Sequence, residues 1–512
     1  MTAGPPDGTS AAAAPEPGRP EPAPLLPSPV LSPVLSPVLS PVLLRQPLAA
    51  AGTTPEAVAR WAALLQEAHR ALDDAGVPAD GRRAWCLPGR IEVLGKHVDY
   101  AGGRSLLCTV ERGIVVVARG RDDRRVVLRD GHRREALELP LDHRGRSQVP
   151  WAVYPQTVVR RLVRNFGSRV QGCDLALASN LPSAAGVSSS SALTVGLTLA
   201  VAGVSHLQEH PWWKGAIPDR AALAGYLGAL ENGGDFGILR GDRGVGTMGG
   251  AQDQTAILCS RPGTLEQFQW APVHHERSVP WPASHRFVVA VSGVVAAKTG
   301  AAKARYNRAS RTAQQLVAAW NAHARTHRLG GAARTLREAF EEAAGGVDAA
   351  ARLDHVPAVL VQAAEAGATD EFSAAHLTAR LRQFFDETWR WVPQAAEALG
   401  RMSTAPTGQG AAWRAVGDAV AASQRGAEAA LENQVPETVA LVRLARELGA
   451  EGASAFGAGF GGSVWAAVPA ASAERFAAEW RRRYLAAFKA RARKAHVLVT
   501  APGVPAFEVA DD

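Results

Sequence analysis

Three stretches of the chain carry residue types and spacings that could do chemistry. In "SNLPSAAGVSSSSALTVGLTLAVAG", Ser179 to Gly203, a run of small residues leads straight into an apolar helix. Backbone N–H groups at the start of a helix, with the positive end of its dipole behind them, favour a phosphate. Ser183, Ala184, Ala185, Gly186, Val187, Ser188, Ser189, Ser190 and Ser191 are therefore the candidate phosphate-binding residues, and the hydroxyls add ligands for phosphate oxygens or a magnesium ion. A flexible serine linker is the bland alternative, and the apolar helix that begins at once argues against it. No Gly-Lys-Ser/Thr closes the loop, so it is not a Walker A motif. The second stretch is "FGAGFGGSV", Phe456 to Val464, between two apolar runs. Its glycines Gly457, Gly459, Gly461 and Gly462 exceed what a hairpin turn requires, and close approach of backbone to a ligand accounts for the surplus. The third, "GRIEVLGKHVDYAGGRSL", Gly89 to Leu106, packs Arg90, Lys96, His97, Asp99 and Tyr100 around a glycine turn.

The elements that must position these stretches can be read from periodicity. "TTPEAVARWAALLQEAHRALDDAG" has Thr54 as N-cap, Pro55 at the first helical position and Gly76 past the end. "RIEVLG", "GIVVVARG" and "RVVLRD" read as strands, with the quoted glycine turn between the first two. Residues 181–230 read as helical, and strands are expected again at "QTAILCS" and "RFVVAVSG". Residues from about 303 to 448 are Ala-rich and mostly helical, and the C-terminal part alternates strand, glycine loop, strand, helix, strand. Strands and helices interleaved without a regular βαβ repeat predict an α+β architecture with two lobes. The expected division is a Pro-rich, extended tail over residues 1–48, one lobe over 49–285 and a second over 286–512. Inside the tail, "SPVLSPVLSPVLSPVL" places proline at every fourth position, which opposes a regular helix. A docking segment for a proline-recognition module and an inert extension are both compatible with it.

Composition narrows the function classes. The chain has 512 residues, 47% hydrophobic and 20% charged, enough for a large core. A net charge of +8 raises nucleic acid as a partner, but Arg is dispersed and no basic block is interleaved with stacking aromatics, so no nucleic-acid binding is expected. No run of 18 or more apolar residues exists, so no membrane span is expected. The four cysteines lie far apart without a CxxC pair, which indicates neither a zinc site nor a disulfide framework and suits a reducing cytoplasm. Nothing calls for an oligomer, and a monomer is expected.

In their order and spacing the three stretches resemble the signature motifs of the GHMP kinases, and "GRIEVLGKHVDYAGG" is specifically similar to the galactokinase signature. "GGAQDQTAI", Gly249 to Ile257, resembles the segment carrying the catalytic aspartate in galactokinases, and "ARYNRAS", Ala304 to Ser310, resembles a Tyr-Asn-x-Arg stretch of the family. The matches run from about Pro88 to Pro469. The resemblance implies a two-lobed fold with its active site in the cleft and MgATP-dependent phosphorylation of a small-molecule hydroxyl, carbon one of a sugar by analogy. It implies Asp253 as the acceptor of the hydroxyl proton with Arg90 beside it, and Lys96, His97, Asp99 and Tyr306 around the sugar. The Ser183–Ser191 loop with Gly457 and Gly459 would hold ATP, and Ser190, with Ser189 as the alternative, and Glu231 would hold Mg2+.

Departures from the pattern matter. The segment 233–250, between Glu231 and Asp253, is longer than the family's usual interval and reads as a lid or a disordered insertion. Ala184 stands where a glycine is usual, and Ser463 where a cysteine often is. Lys96 stands where glutamate is normal, reversing the charge expected at the far end of a hexose. Three readings compete: Lys96 points to solvent and the substrate is galactose or a close epimer; the ammonium binds the carboxylate of a uronic acid; or the protein is a kinase of some other sugar, or a sugar- and ATP-binding regulator without turnover.

Overall fold

The glycine turn folds two long β-branched runs back on one another. β1 (Arg83–Leu94) and β2 (Arg104–Arg121) form this antiparallel hairpin in the computed structural model, which describes residues 41–131, 136–142, 145, 149–182, 186–295, 302–404 and 408–509. The hairpin is the centre of an eight-stranded sheet. β2 pairs antiparallel with β5 (Gly172–Ser179), β5 pairs parallel with β3 (Arg125–Asp130), and β3 pairs with β4 (Leu137–Pro140). Beside the glycine turn, residues 104–107 of β2 pair with β6 (Thr264–Gln269), which carries β7 (His274–Pro280). A second, four-stranded antiparallel sheet has the order β11-β8-β10-β9, from β8 (His285–Val291), β9 (Gly452–Phe456), β10 (Ser463–Pro469) and β11 (His496–Thr500).

The apolar alternation of β1 and β2 explains why their sequence is hydrophobic almost throughout. Trp85, Leu87, Val116 and Ala118 join the core that includes α4 (Ser189–Val204), while Ala84, Cys86, Val115 and Val117 pack with α1 (Pro41–Ala50) and α2 (Pro55–Asp73). Successive side chains point to opposite faces, and both faces are covered. Thr54 caps α2 as expected, its hydroxyl accepting from the Ala57 N–H at 3.2 Å.

Several expectations need correction. The tail does not extend to residue 48: α1 begins at Pro41, and Leu44 and Leu48, one helical turn apart, are fully buried among Trp61 and Leu65. Proline is tolerated in the first turn of a helix, so the repeat's last proline starts one instead of preventing it. Residues 1–40 of the tail lie outside the described residues. "QTAILCS" belongs to a helix, α7 (Gln252–Cys259), for an apolar run this short has no period that separates strand from buried helix. The boundary at 285/286 falls where the chain passes from the first sheet to the second, but it separates neither the sheets completely nor two independent cores. β12 (Phe507–Val509) returns to pair with β1, one core runs from Trp85 through Phe287 to Trp465, and Val98, Phe268 and Trp270 pack among the helices of residues 302–404.

The helices before the second sheet are α3 (Val153–Phe166), α4, α5 (Pro211–Ala216), α6 (Arg220–Asn232) and α7. Segment 233–250 is anchored on α3 in this structure. The buried Arg161 donates to the carbonyls of Gly234 at 2.9 Å and Leu239 at 3.4 Å, Asn165 Nδ2 donates to the Arg240 carbonyl at 3.0 Å, and Arg160 Nε pairs with Asp242 at 2.6 Å.

Leu48→Ala is expected to cost about 2–5 kcal/mol, read as a lower urea midpoint at unchanged slope. Arg161→Met keeps the volume and removes the anchoring bonds. Limited proteolysis is expected to cut it within 233–245 at a protease dose that leaves the wild type whole.

Candidate functional site

Arg90 leaves β1 into the interior and is only 2% exposed. Its Nε donates to Asp253 Oδ1 at 2.8 Å, its Nη2 is ion-paired with the same oxygen at 2.7 Å, and its Nη1 donates to the Gly186 carbonyl at 2.5 Å. The guanidinium lies 5.8 Å over the Phe456 ring. Its own backbone N–H donates to the Val187 carbonyl at 3.3 Å. Asp253 sits in the first turn of α7, and its Oδ2 accepts from Ser191 Oγ at 3.3 Å. One side chain thus joins the serine loop, the glycine loop and the aspartate.

The two loops meet backbone to backbone. Gly457 has φ +78°, and a Cβ there would lie 2.9 Å from the Gly186 carbonyl, while one on Gly459 would lie 2.4 Å from the Asn433 carbonyl. Val187 and Ser188 precede α4, whose first turn holds Ser189, Ser190 and Ser191. The Ser188 hydroxyl is buried without a hydrogen-bond partner among the described residues. Ser183, Ala184 and Ala185 lie outside the described residues.

Arg90 and Asp253 open onto a cleft of about 500 Å³, counting its mouth, that His97, Asp99, Glu231 and Tyr306 also line. Asp99 Oδ2 accepts from the Gln252 N–H at 3.3 Å. Tyr306, on α8 (Ala302–His327), sets its ring 5.8 Å from that of His97. The next residue, Asn307, clamps the approach to α7: it accepts from the Met248 N–H at 3.0 Å and donates to the Gly246 carbonyl at 3.1 Å. Glu231, in the last turn of α6, is buried at the cleft wall. His97 has protein partners at both ring nitrogens, the Tyr100 hydroxyl at 3.2 Å and the Ala458 carbonyl at 3.3 Å. It ties the glycine turn to the glycine loop while walling the cleft. Its expected hydroxyl-reading role would require one of these bonds to give way.

Lys96 departs from expectation altogether. It does not line the cleft, but is 2% exposed behind the turn, its Nζ donating to Ser423 Oγ at 2.8 Å and Ser454 Oγ at 2.7 Å. Ser423 in turn donates to Glu387, which also accepts from the Gly95 N–H at 2.9 Å. Burial lowers the pKa of the Lys96 ammonium, against the pull of Glu387, Glu92 and Glu428. The serines and carboxylates make a polar recess behind the turn, and the long side chain fills it.

Sequence reasoning missed Glu92. It lines the cleft at 3% exposure, and burial pushes its carboxyl up to about 8 against the opposing Arg90 and Lys96. The signal was present: Glu92 follows Arg90 by two residues on a strand, the spacing that shares a face. Gln252, Asn307 and Glu387 were also passed over, being supports for other groups.

Residues 75–120 match the galactokinase galactose-binding signature, residues 153–232 the GHMP kinases N-terminal domain, and residues 409–486 the GHMP kinases C-terminal domain. The galactokinase of Streptomyces coelicolor is 32% identical over 190 residues, 36% of this chain and 43% of that protein. The galactokinase of a Roseiflexus species is 38% identical over 110 residues, 21% of this chain and 27% of that protein. The chain therefore spans less than half the length of these curated relatives. The crystal structure of Lactococcus lactis galactokinase complexed with galactose has a TM-score of 0.65 at 20% identity, over 86% of this chain and 98% of that one, which shows a common fold. Its sugar-motif, N-terminal and C-terminal segments thus match the galactokinase galactose-binding signature and the two GHMP kinase domain models, on a fold shared with a galactokinase.

Proposed function

We propose that the protein is an ATP-dependent sugar kinase that transfers the γ-phosphate of ATP to the anomeric C1 hydroxyl of galactose or a close epimer, in the cytoplasm. The observation that carries this reading is the Arg90–Asp253 pair, fixed at the junction of the α4 N-terminus, the glycine loop and a cleft. Asp253 accepts the hydroxyl proton and orients the nucleophile, and Arg90 holds the carboxylate in place. The backbone of Gly186–Ser191 receives phosphate oxygens, with the buried, unpartnered Ser188 hydroxyl as a further donor. Positioning and charge stabilisation then suffice, without a covalent intermediate. The carbon-one assignment comes from the family resemblance.

Magnesium fits the donor set. The Ser190 hydroxyl, at the start of α4, and the Glu231 carboxylate are hard oxygen ligands, and such an ion takes its remaining ligands from phosphates and water. Bound there, it would neutralise charge on the phosphates.

The cleft chemistry favours a neutral sugar over a uronic acid. Asp99, Glu231 and Asp253 line it against Arg90, which is already committed, and Lys96 turns away. A sugar carboxylate would meet like charge and no free cation among these groups.

ADP release with MgATP and galactose is expected to exceed that with galacturonate, and Asp253→Asn is expected to lower kcat by about 10²-fold or more. Absence of ADP release with galactose, arabinose, N-acetylgalactosamine and the uronic acids alike would overturn the proposal. Lys96→Glu places a carboxylate beside Glu387 and Glu92, so it is expected to cost about 3 kcal/mol or more in urea unfolding. Its surviving activity should keep the wild-type preference for galactose, whereas a switch toward galacturonate in the wild type alone would restore Lys96 as a substrate contact.

A further inference from the structure

Glu92 is a cleft side chain that the kinase reading leaves without a task. Its Oε2 accepts from Gln252 Nε2, while its Oε1 is buried without a hydrogen-bond partner among the described residues. Gln252 is itself fixed, its Oε1 accepting from Ser105 Oγ at 2.9 Å and its N–H reaching Asp99 at 3.3 Å. The carboxyl is therefore held by one oxygen and leaves the other open.

A buried polar atom without a partner costs free energy, and native structures rarely leave one unless something absent completes it. The charged neighbours cannot. Arg90 is committed to Asp253 and Gly186, and Lys96 to Ser423 and Ser454. Glu387 is engaged with Gly95 and Ser423, and Asp99 already accepts from the Gln252 N–H. The remaining source of a partner is a molecule in the cleft that Glu92 lines. A sugar hydroxyl suits the open oxygen because it both donates and accepts, and so pairs with the carboxyl in either protonation state.

We propose that Glu92 is a specificity residue of the cleft, its open Oε1 sharing a hydrogen bond with one hydroxyl of the bound sugar. The proposal rests on the sugar-kinase reading. With its pKa near 8, the carboxyl is largely protonated at neutral pH and meets the sugar as a donor. Glutamine reproduces that form, accepting from Gln252 and donating to the ligand, whereas leucine fills similar space and does neither.

The test measures KM, and Kd by calorimetry, for galactose and its monodeoxy analogues on the wild type, Glu92→Gln and Glu92→Leu. Glu92→Leu is expected to raise both constants for galactose on the order of tenfold. For one analogue the added loss should vanish, because the hydroxyl that Glu92 reads is already gone, and Glu92→Gln should retain recognition of that hydroxyl. If Glu92→Leu does not fold, Glu92→Asn, which draws the polar end back by one methylene, must show the same analogue-specific loss. Folded variants in which every deoxy penalty persists unchanged overturn the proposal. If the wild type binds sugar but releases no ADP, the kinase reading fails while the calorimetric series still decides Glu92. If no sugar binds, both fail.

Discussion

The site depends on one buried guanidinium. Arg90 draws together segments far apart in sequence, since its planar fork points its N–H groups in fixed directions, pairing with Asp253 through Nε and Nη2, donating to Gly186 and offering a face to Phe456. A lysine in the same place would bring a single point charge and could not span all three. The arrangement also explains the glycines, for the loop after Phe456 must run within van der Waals distance of the Gly186 carbonyl, where no Cβ fits. Burying the cation is tolerable because it is paired, and the pair ties the geometry of the serine loop to that of the aspartate.

Around this contact the site divides into two electrostatic halves. On one side lie the N-terminal end of α4 and the backbone of the glycine loop, whose N–H groups and dipole suit anionic oxygens. On the other lie Glu92, Asp99 and Asp253, acceptors and a protonated carboxyl suited to hydroxyls. Asp253 stands at the seam, in the first turn of α7, where the helix dipole favours its charge. Glycine turn, glycine loop and α8 close the hydroxyl side through His97, Ala458 and Tyr306.

What was legible in the sequence was what local chemistry determines. Thr54 and Pro55 announce a helix start, β-branched runs announce β1 and β2, and the small-residue run before an apolar helix announces the start of α4. Elements decided by tertiary contact were not legible. "QTAILCS" carries strand-forming residues, yet is a helix that packs against α6 and the hairpin. Leu44 and Leu48 look like part of a proline repeat until α2 supplies the surface that buries them. The insertion could not be judged because its anchors, Arg160, Arg161 and Asn165, lie on a helix well before it in the chain.

Lys96 and Glu92 show the limit of reading a motif position by position. A motif fixes where the backbone goes, but a side chain goes where its polar end finds partners. At Gly95 the backbone turns sharply, and behind the turn Ser423, Ser454 and Glu387 offer an ammonium two acceptors and a countercharge. Facing the cleft, the same ammonium would have had only water to hold it in the absence of ligand. The recess therefore competes successfully for Lys96, and the polarity of the cleft passes to the strand residue four positions earlier. Glu92 is rigidly seated because Gln252, Ser105 and Asp99 form one network from β2 to α7, so the open oxygen is set by the same contacts that position Asp253. On the proposed reading, recognition and catalysis in this cleft share a scaffold: the network through Gln252 that seats Glu92 also fixes the residue next to it, Asp253.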